Sequence, residues 1–169
     1  MENEMIIRDA EIGDLPEIVR IYNTTISSRM VTADTEPVTV QSREGWYYDH
    51  SPHFRPLWVV EHDGKMCAWL SFQSFYGRPA YEATAELSIY IDSDFRGKGL
   101  GRYLLEQAIE KSPLLKIKTL LGFIFGHNEP SLRLFERFGF ERWGMLPRVA
   151  ELDGMERDLV IVGKRIAMS

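Results

Sequence analysis

The stretch Ile91-Asp92-Ser93-Asp94-Phe95-Arg96-Gly97-Lys98-Gly99-Leu100-Gly101 lies between a strand-like run and a helix-like one. Glycines let a backbone approach a ligand closely and adopt conformations barred to other residues. The first turn of a helix adds unpaired N–H groups with a partial positive charge. With Arg96, Lys98 and Arg102 supplying cationic side chains, the chemistry on offer is the binding of an anion such as a pyrophosphate. Two other phosphate motifs do not fit. A dinucleotide fingerprint starting at Gly97 needs glycine or alanine at 102, where Arg102 stands. None of the Gly-Lys pairs, at Gly64, Gly97 and Gly163, is followed by Ser or Thr as a Walker A loop requires.

The charge distribution agrees with an anion site there. The 169 residues carry a formal net charge of −5, yet residues 90–119 hold six basic groups against four acidic, and 127–148 hold four against three. Those two segments sum to +3 and leave −8 elsewhere. A small anionic ligand suits this pattern, whereas net acidity argues against nucleic acid. With 44% hydrophobic residues and no apolar run near the ~20 residues of a membrane helix, the composition predicts one globular domain, 1–169, and no membrane partner. Met1-Glu2-Asn3-Glu4 lacks the basic region of a secretory signal, and the single cysteine, Cys67, precludes an internal disulfide; both predict a cytoplasmic protein. Cys67, between Met66 and Ala68, reads as core. His50, His53, His62 and His127 show no metal-ligand spacing, so no metal is expected.

Elements that position the turn are visible on either side of it. Met5 to Arg8 reads as a strand. Asp14-Leu15-Pro16-Glu17 reads as a helix start with Asp14 as N-cap, followed by the apolar stripe Leu15, Ile18, Val19, Tyr22 and Ile26. A short helix is predicted over Arg43 to Asp49. Strands Leu57 to Glu61 and Lys65 to Phe72 are joined by Asp63-Gly64, a favoured hairpin turn. From Ala83 to Ile91 the residues alternate: Ala83, Ala85, Leu87, Ile89 and Ile91 face the core, and Thr84, Glu86, Ser88 and Tyr90 the other side. Leu100, Tyr103, Leu104 and Ala108 mark a helix, Thr119 to Phe125 a buried strand, and Asn128 to Phe138 a helix ended by Gly139. Strands about Phe140 to Met145 and Met155 to Val162 flank a second Asp-Gly turn at Asp153-Gly154.

Arg-x-x-Gly-x-Gly at Arg96, Gly99 and Gly101 resembles the acyl-CoA pyrophosphate loop of the GNAT family of N-acetyltransferases, and the likeness runs nearly the full length. Within that family, Arg78-Pro79-Ala80-Tyr81, Thr84-Ala85-Glu86-Leu87-Ser88-Ile89-Tyr90-Ile91, Ile21-Tyr22-Asn23 and Thr35-Glu36-Pro37 are most similar to the phosphinothricin and methionine sulfone or sulfoximine acetyltransferases. The resemblance implies an α/β (α+β) GNAT fold: a central mixed, twisted sheet flanked by helices. Acetyl-CoA would lie between the parallel strands of Ile89 and Leu121.

By the same likeness, the backbone of Ile89, Tyr90 and Ile91 would bind the pantetheine arm and acetyl carbonyl. Arg96, Gly97, Lys98, Gly99, Leu100, Gly101 and Arg102 would bind the pyrophosphate, Asn128 would contact the cofactor near its thioester end, and Ser131 would also be a cofactor contact. Asn128, before Glu129-Pro130, also suits a helix cap. Only a neutral amine can attack a thioester, so an amino-acid acceptor needs a base, and Glu86 is the candidate. An N–H near Ile89 would stabilise the oxyanion. Arg78 offers a fork of donors to an acceptor's oxyanion, with Pro79, Ala80 and Tyr81 as the adjoining wall. Tyr22, Phe75 and Tyr90 are aromatic wall candidates that core packing also explains. One departure from the family pattern stands out: where many members carry a Tyr, and phosphinothricin enzymes often a His, to protonate the leaving thiolate, this chain has Phe135. The expected partners are acetyl-CoA and a small amine, with a homodimer implied by the family. A different acceptor, such as a protein N-terminus or polyamine, or a non-catalytic acyl-CoA-binding module, stays open at this level.

Overall fold

The computed structural model describes residues 5–167, so the acidic start, Met1 to Glu4, lies outside the described residues. Strands and helices follow in the order β1 (Met5–Asp9), α1 (Leu15–Ile26), α2 (Glu44–Tyr48), β2 (Leu57–His62), β3 (Lys65–Ser74), β4 (Thr84–Ile91), α3 (Leu100–Lys111), β5 (Thr119–Phe125), α4 (Glu129–Arg137), β6 (Glu141–Leu152) and β7 (Met155–Arg165). Asp63 and Gly64 both take positive φ, 52° and 77°, as a type I′ turn requires, and fold β2 back on β3. Asp153 and Gly154, at 53° and 78°, do the same for β6 and β7.

The strands form one sheet in the order β1-β2-β3-β4-β5-β7-β6, antiparallel except for β4 beside β5. This is the mixed sheet flanked by helices that the family resemblance implied. Because side chains alternate across a strand, each face has its own core. On one face Leu70, Phe72, Ala85 and Leu87 meet Leu104 of α3 and Leu132 of α4. On the other, Val59 and Trp69 meet Ile18, Ile21 and Ile26 of α1. Cys67 is fully buried, as expected, and burial pushes its thiol pKa up.

Several expectations are corrected in detail. Strand β1 extends to Asp9, and α2 is shorter than 43–49. β2 and β3 run on to His62 and Ser74, and β4 begins at Thr84. Tyr103 is only half-buried, Leu105 taking its place in the core. The α4 helix spans 129–137, and Gly139 beyond it takes a φ of 87°. Strand β6 continues past Met145 to Leu152, through an irregularity between Leu146 and Ala150, and β7 reaches Arg165. Ile89 and Ile91 are only partly buried, because β4 has no neighbour on one side there.

Asp14 precedes α1 but its side chain does not cap it. Its carboxylate accepts two hydrogen bonds from Arg8, at 2.7 and 2.8 Å, and one from the Glu11 amide at 2.7 Å. Arg8 also donates to Glu61, tying β1, β2 and the entry to α1 together. The Arg8 hydrogen bond holds the Asp14 carboxyl below the usual carboxylate range. A depressed carboxyl pKa contributes stability that is present above the unfolded value of about 4 and lost as pH falls through the folded one. In urea unfolding, Asp14→Asn should cost about 1 kcal/mol at neutral pH, and the gap to the unaltered protein should narrow steadily below pH ~4. A gap independent of pH would contradict the ion pair.

Candidate active site

β4 pairs with β5 only through Thr84–Thr119, Ala85–Leu120 and Glu86–Leu121, while β3 stays paired with β4 as far as Ile91. Beyond Glu86 the two parallel strands part. In an antiparallel ladder the N–H and C=O of alternate residues face the same neighbour. The Asp92 amide donates to the Cys67 carbonyl at 2.9 Å and the Phe75 amide to the Thr84 carbonyl at 3.4 Å, which turns the even-numbered positions of β4 towards β3. The N–H and C=O of Ile89 and Ile91 therefore face the gap with no strand to pair with, and those of Tyr90 are directed to β3. A narrow cavity of about 130 Å³ occupies the gap, lined by both strands and by Met30, Gly101, Asn128 and Ser131. A Cβ at Gly101 would come within 3.1 Å of Leu134, and one at Gly122, also on the cavity wall, within 3.1 Å of Phe135 and Val162.

At the C-terminal end of β4 the chain makes the glycine turn. Gly97 and Gly99 have φ of 75° and 79°, the left-handed region in which glycine is favoured, and Gly99 leads directly into the twelve residues of α3. The first intrahelical bond is Tyr103 N–H to Gly99 C=O at 3.0 Å, so the amides of residues 100–102 have no helical partner. Arg96, Lys98 and Arg102 are exposed and make no ion pair among the described residues. Unpaired amides, a helix N-terminus and three uncommitted cations suit a pyrophosphate, and the adjoining gap offers strand-like hydrogen bonds to an amide-bearing arm. The residues present fit an acyl-CoA.

The opposite face of β4, under α1 and α2, carries Glu86, Ser88 and Tyr90. Tyr90 stacks on Trp69, ring centroids 4.6 Å apart, and tilts against Tyr22 at 5.0 Å, and burial pushes its phenol pKa up. Glu86 is half-buried and, among the described residues, has neither a hydrogen-bond nor an ion-pair partner. Burial pushes its carboxyl above the ordinary range. Arg78 is exposed at the start of the turn Pro79–Tyr81, beside the aromatic group of Phe75, Tyr76 and Tyr81, with centroid separations from Phe75 of 4.4 and 5.4 Å.

Three sets of contacts near this face are not foreseen from the sequence, which marks Tyr22 only as an aromatic wall candidate and His50 only as a histidine without metal-ligand spacing. The His50 ring lies 2.8 Å from the Trp46 carbonyl through Nδ1 and 2.6 Å from the buried Ser71 hydroxyl through Nε2. A carbonyl can only accept, so Nδ1 carries the proton and Nε2 accepts from Ser71, which is paired in register with Ser88. Burial lowers the His50 pKa and favours this neutral form. The Tyr22 hydroxyl meets Thr32 and Asp34, and Asp34 is held by Arg43 at 3.0 Å with the guanidinium 4.8 Å above the Tyr22 ring. Finally, Met30 and Val31 reach the cavity. Each depends on contacts between distant parts of the chain, for which the sequence carries no local signal.

Asn128 is buried and both ends of its amide are engaged: Oδ1 accepts the Ser131 amide at 3.3 Å, capping α4, and Nδ2 donates to the Met30 carbonyl at 3.0 Å. His127 donates from Nε2 to the Arg29 carbonyl at 2.8 Å. Phe135 is buried edge-on against Phe140, 4.9 Å between centroids, and has no proton to give. Among the described residues no cluster of three His, Cys, Asp or Glu side chains could hold a metal, and no helix is long and apolar enough to cross a membrane. A wider groove of about 710 Å³ between α3 and the β1–β2 edge contains none of the candidate catalytic, cofactor-binding or acceptor-binding residues.

The comparison with known proteins bears directly on this geometry. Residues 18–140 match the model of the acetyltransferase (GNAT) family. The chain is 55% identical over 164 residues, 96% of its length and all of the other, to the Bacillus subtilis protein named "Putative phosphinothricin acetyltransferase YwnH". It is 31% identical to an L-methionine sulfoximine/L-methionine sulfone acetyltransferase of Pseudomonas aeruginosa, over 92% of this chain and 91% of that one. A Salmonella typhimurium structure described as "yncA, a putative ACETYLTRANSFERASE", with its cofactor acetyl-CoA, superimposes with a TM-score of 0.90 at 27% identity, covering 99% of this chain and 96% of the other. The parted strands, the glycine turn and a family match across most of the chain agree, and the protein belongs to the GNAT family of acetyltransferases.

Proposed function

We propose that the protein is a single-domain N-acetyltransferase that moves the acetyl group of acetyl-CoA to the primary amine of a small amino-acid-like acceptor, of the phosphinothricin, methionine sulfone or methionine sulfoximine type. The observation that carries this reading is Glu86: an unpartnered carboxylate with a raised pKa at the last paired position before β4 and β5 part. Support for the acceptor class comes from the Bacillus and Pseudomonas relatives and from exposed Arg78 beside an aromatic wall. The cytoplasmic setting expected from the sequence belongs to the same reading.

In this mechanism the Ile89 carbonyl and the N–H and C=O of Ile91 hold the pantetheine arm, and the amides of Leu100, Gly101 and Arg102 with the side chains of Arg96 and Lys98 hold the pyrophosphate. Gly97 and Gly99 shape that turn, and Asn128 and Ser131 wall the thioester end. The acceptor enters from the α1–α2 face, over Tyr90, with its anionic end on Arg78 and the wall of Pro79, Ala80 and Tyr81. Glu86 takes a proton from the ammonium. The neutral amine then attacks the carbonyl, a C–N bond forms and the Ile89 N–H stabilises the oxygen that gains charge; as the C–S bond breaks, the second amine proton passes through solvent to the departing thiolate, giving the amide and CoA thiol. Phe135 supplies no acid, so the weakly basic thiolate leaves without help from that position.

Thiol release from acetyl-CoA, followed over phosphinothricin, methionine sulfone, methionine sulfoximine, ordinary amino acids and polyamines, is expected to be fastest with one of the first three. Turnover with none, despite cofactor binding, would contradict the proposed activity. Glu86→Gln should lower kcat about 100-fold and flatten the acidic limb of the pH profile, where the unaltered enzyme loses activity as its carboxylate is protonated. Unchanged turnover across pH would remove Glu86 from the mechanism. Arg78→Ala should raise KM for the acceptor about tenfold, roughly 1.4 kcal/mol, with kcat little altered; an unaltered KM would exclude the contact. The homodimer implied by the family would use β6, an unpaired sheet edge with Trp143, Met145, Leu146 and Val149 exposed. Sedimentation equilibrium should give about twice the 19.6 kDa chain mass, and a monomer would overturn that assembly.

A further inference from the structure

Asp92 follows the last residue of β4 and is 2% exposed, the most buried carboxylate of this region. Its own N–H donates to the Cys67 carbonyl at 2.9 Å, its C=O accepts from the Phe95 amide at 2.8 Å, and its side chain accepts from the Asp94 amide at 3.1 Å. These bonds shape the short turn Ser93–Phe95 that leads into Arg96 and the glycine turn. A buried negative charge at the base of an anion-binding turn opposes the function of that turn unless it is neutralised. Arg20, on α1, supplies the neutralising charge: a guanidinium N–H lies 2.9 Å from Asp92, and Glu17, one turn earlier, holds Arg20 in place at 3.0 Å. Burial alone would raise the Asp92 pKa; the hydrogen bonds from Arg20 and the Asp94 amide outweigh it and keep the group ionised. The arrangement links α1, which also presents Tyr22 to the acceptor face, to the far end of the cofactor cleft.

We propose that Arg20 is a positioning residue for acetyl-CoA: through its ion pair with buried Asp92 it fixes the shape and cancels the adverse charge of the turn that receives the pyrophosphate. This rests on the reading of Gly97 to Arg102 as the pyrophosphate site. Nothing in the glycine motif announces it, since the partner lies 72 positions away on a helix otherwise read only for its apolar stripe.

The test uses two ligands, acetyl-CoA and S-acetylpantetheine, which shares the thioester arm but has no phosphate. By titration calorimetry Arg20→Ala should weaken acetyl-CoA about tenfold while changing S-acetylpantetheine by less than about twofold. Adding Asp92→Asn, which keeps an acceptor for the Asp94 amide but removes the charge, should restore acetyl-CoA binding to within about threefold of the unaltered protein. Arg20→Lys, which keeps the charge, should lie between. Equal weakening of both ligands, or a double variant no better than Arg20→Ala, would overturn the inference while leaving the acetyltransferase reading intact. Absence of acetyl-CoA binding by the unaltered protein would overturn that reading and this inference with it.

Discussion

Three register pairs hold β4 against β5, and the proposed active site is built on the absence of a fourth. A parallel pair that stayed closed beyond Glu86 and Leu121 would consume the N–H and C=O groups of Ile89 and Ile91 and leave no cleft. Opening it exposes unpaired backbone groups, which is unfavourable unless something else bonds to them. The surrounding structure supports the opening. β3 continues to pair with β4 to its end, β7 pairs with β5 along its whole length, and α3 and α4 cover the cleft from one side. The parted strands are therefore each rigid on their outer edge, and the free groups between them are ready for a ligand.

The second face depends on the connection between α1 and α2. Residues 29–34 cross above the cleft and are fixed at several points: the Arg29 carbonyl by His127, the Met30 carbonyl by Asn128, Thr32 and Asp34 by the Tyr22 hydroxyl, and the Arg29 side chain by Asp153 at 2.9 Å. Arg29 itself has a φ of 56°, so this connection bends sharply after α1. Asn128 thus joins three structures at once: it caps α4, anchors the connection and lines the cavity. On the sheet, Ser71 pairs in register with Ser88 of β4 and meets His50, a contact that local sequence patterns do not mark.

How much was legible in the chain follows from the range of the forces involved. Thr119–Phe125, the α1 stripe and the two Asp-Gly hairpins were readable because apolar runs, helical spacing and positive-φ turns are local properties. The glycine turn was readable for the same reason. Asp14 misled because its position suits an N-cap while its carboxylate is taken by Arg8, a tertiary competitor. Ile89 and Ile91 fit a buried alternation, yet the parting of the strands leaves them at a cleft. Arg20 to Asp92 and His50 to Ser71 join residues 72 and 21 positions apart, and only the assembled sheet brings them together.

The most direct measurement of the central claim is amide hydrogen exchange of the whole chain with and without acetyl-CoA. If the open side of β4 is the cofactor cleft, ligand should slow exchange at Ile89, Ile91 and residues 100–102, and leave the β6–β7 hairpin unchanged. Protection confined to other segments, or no change at Ile89 and Ile91 under saturating ligand, would contradict it.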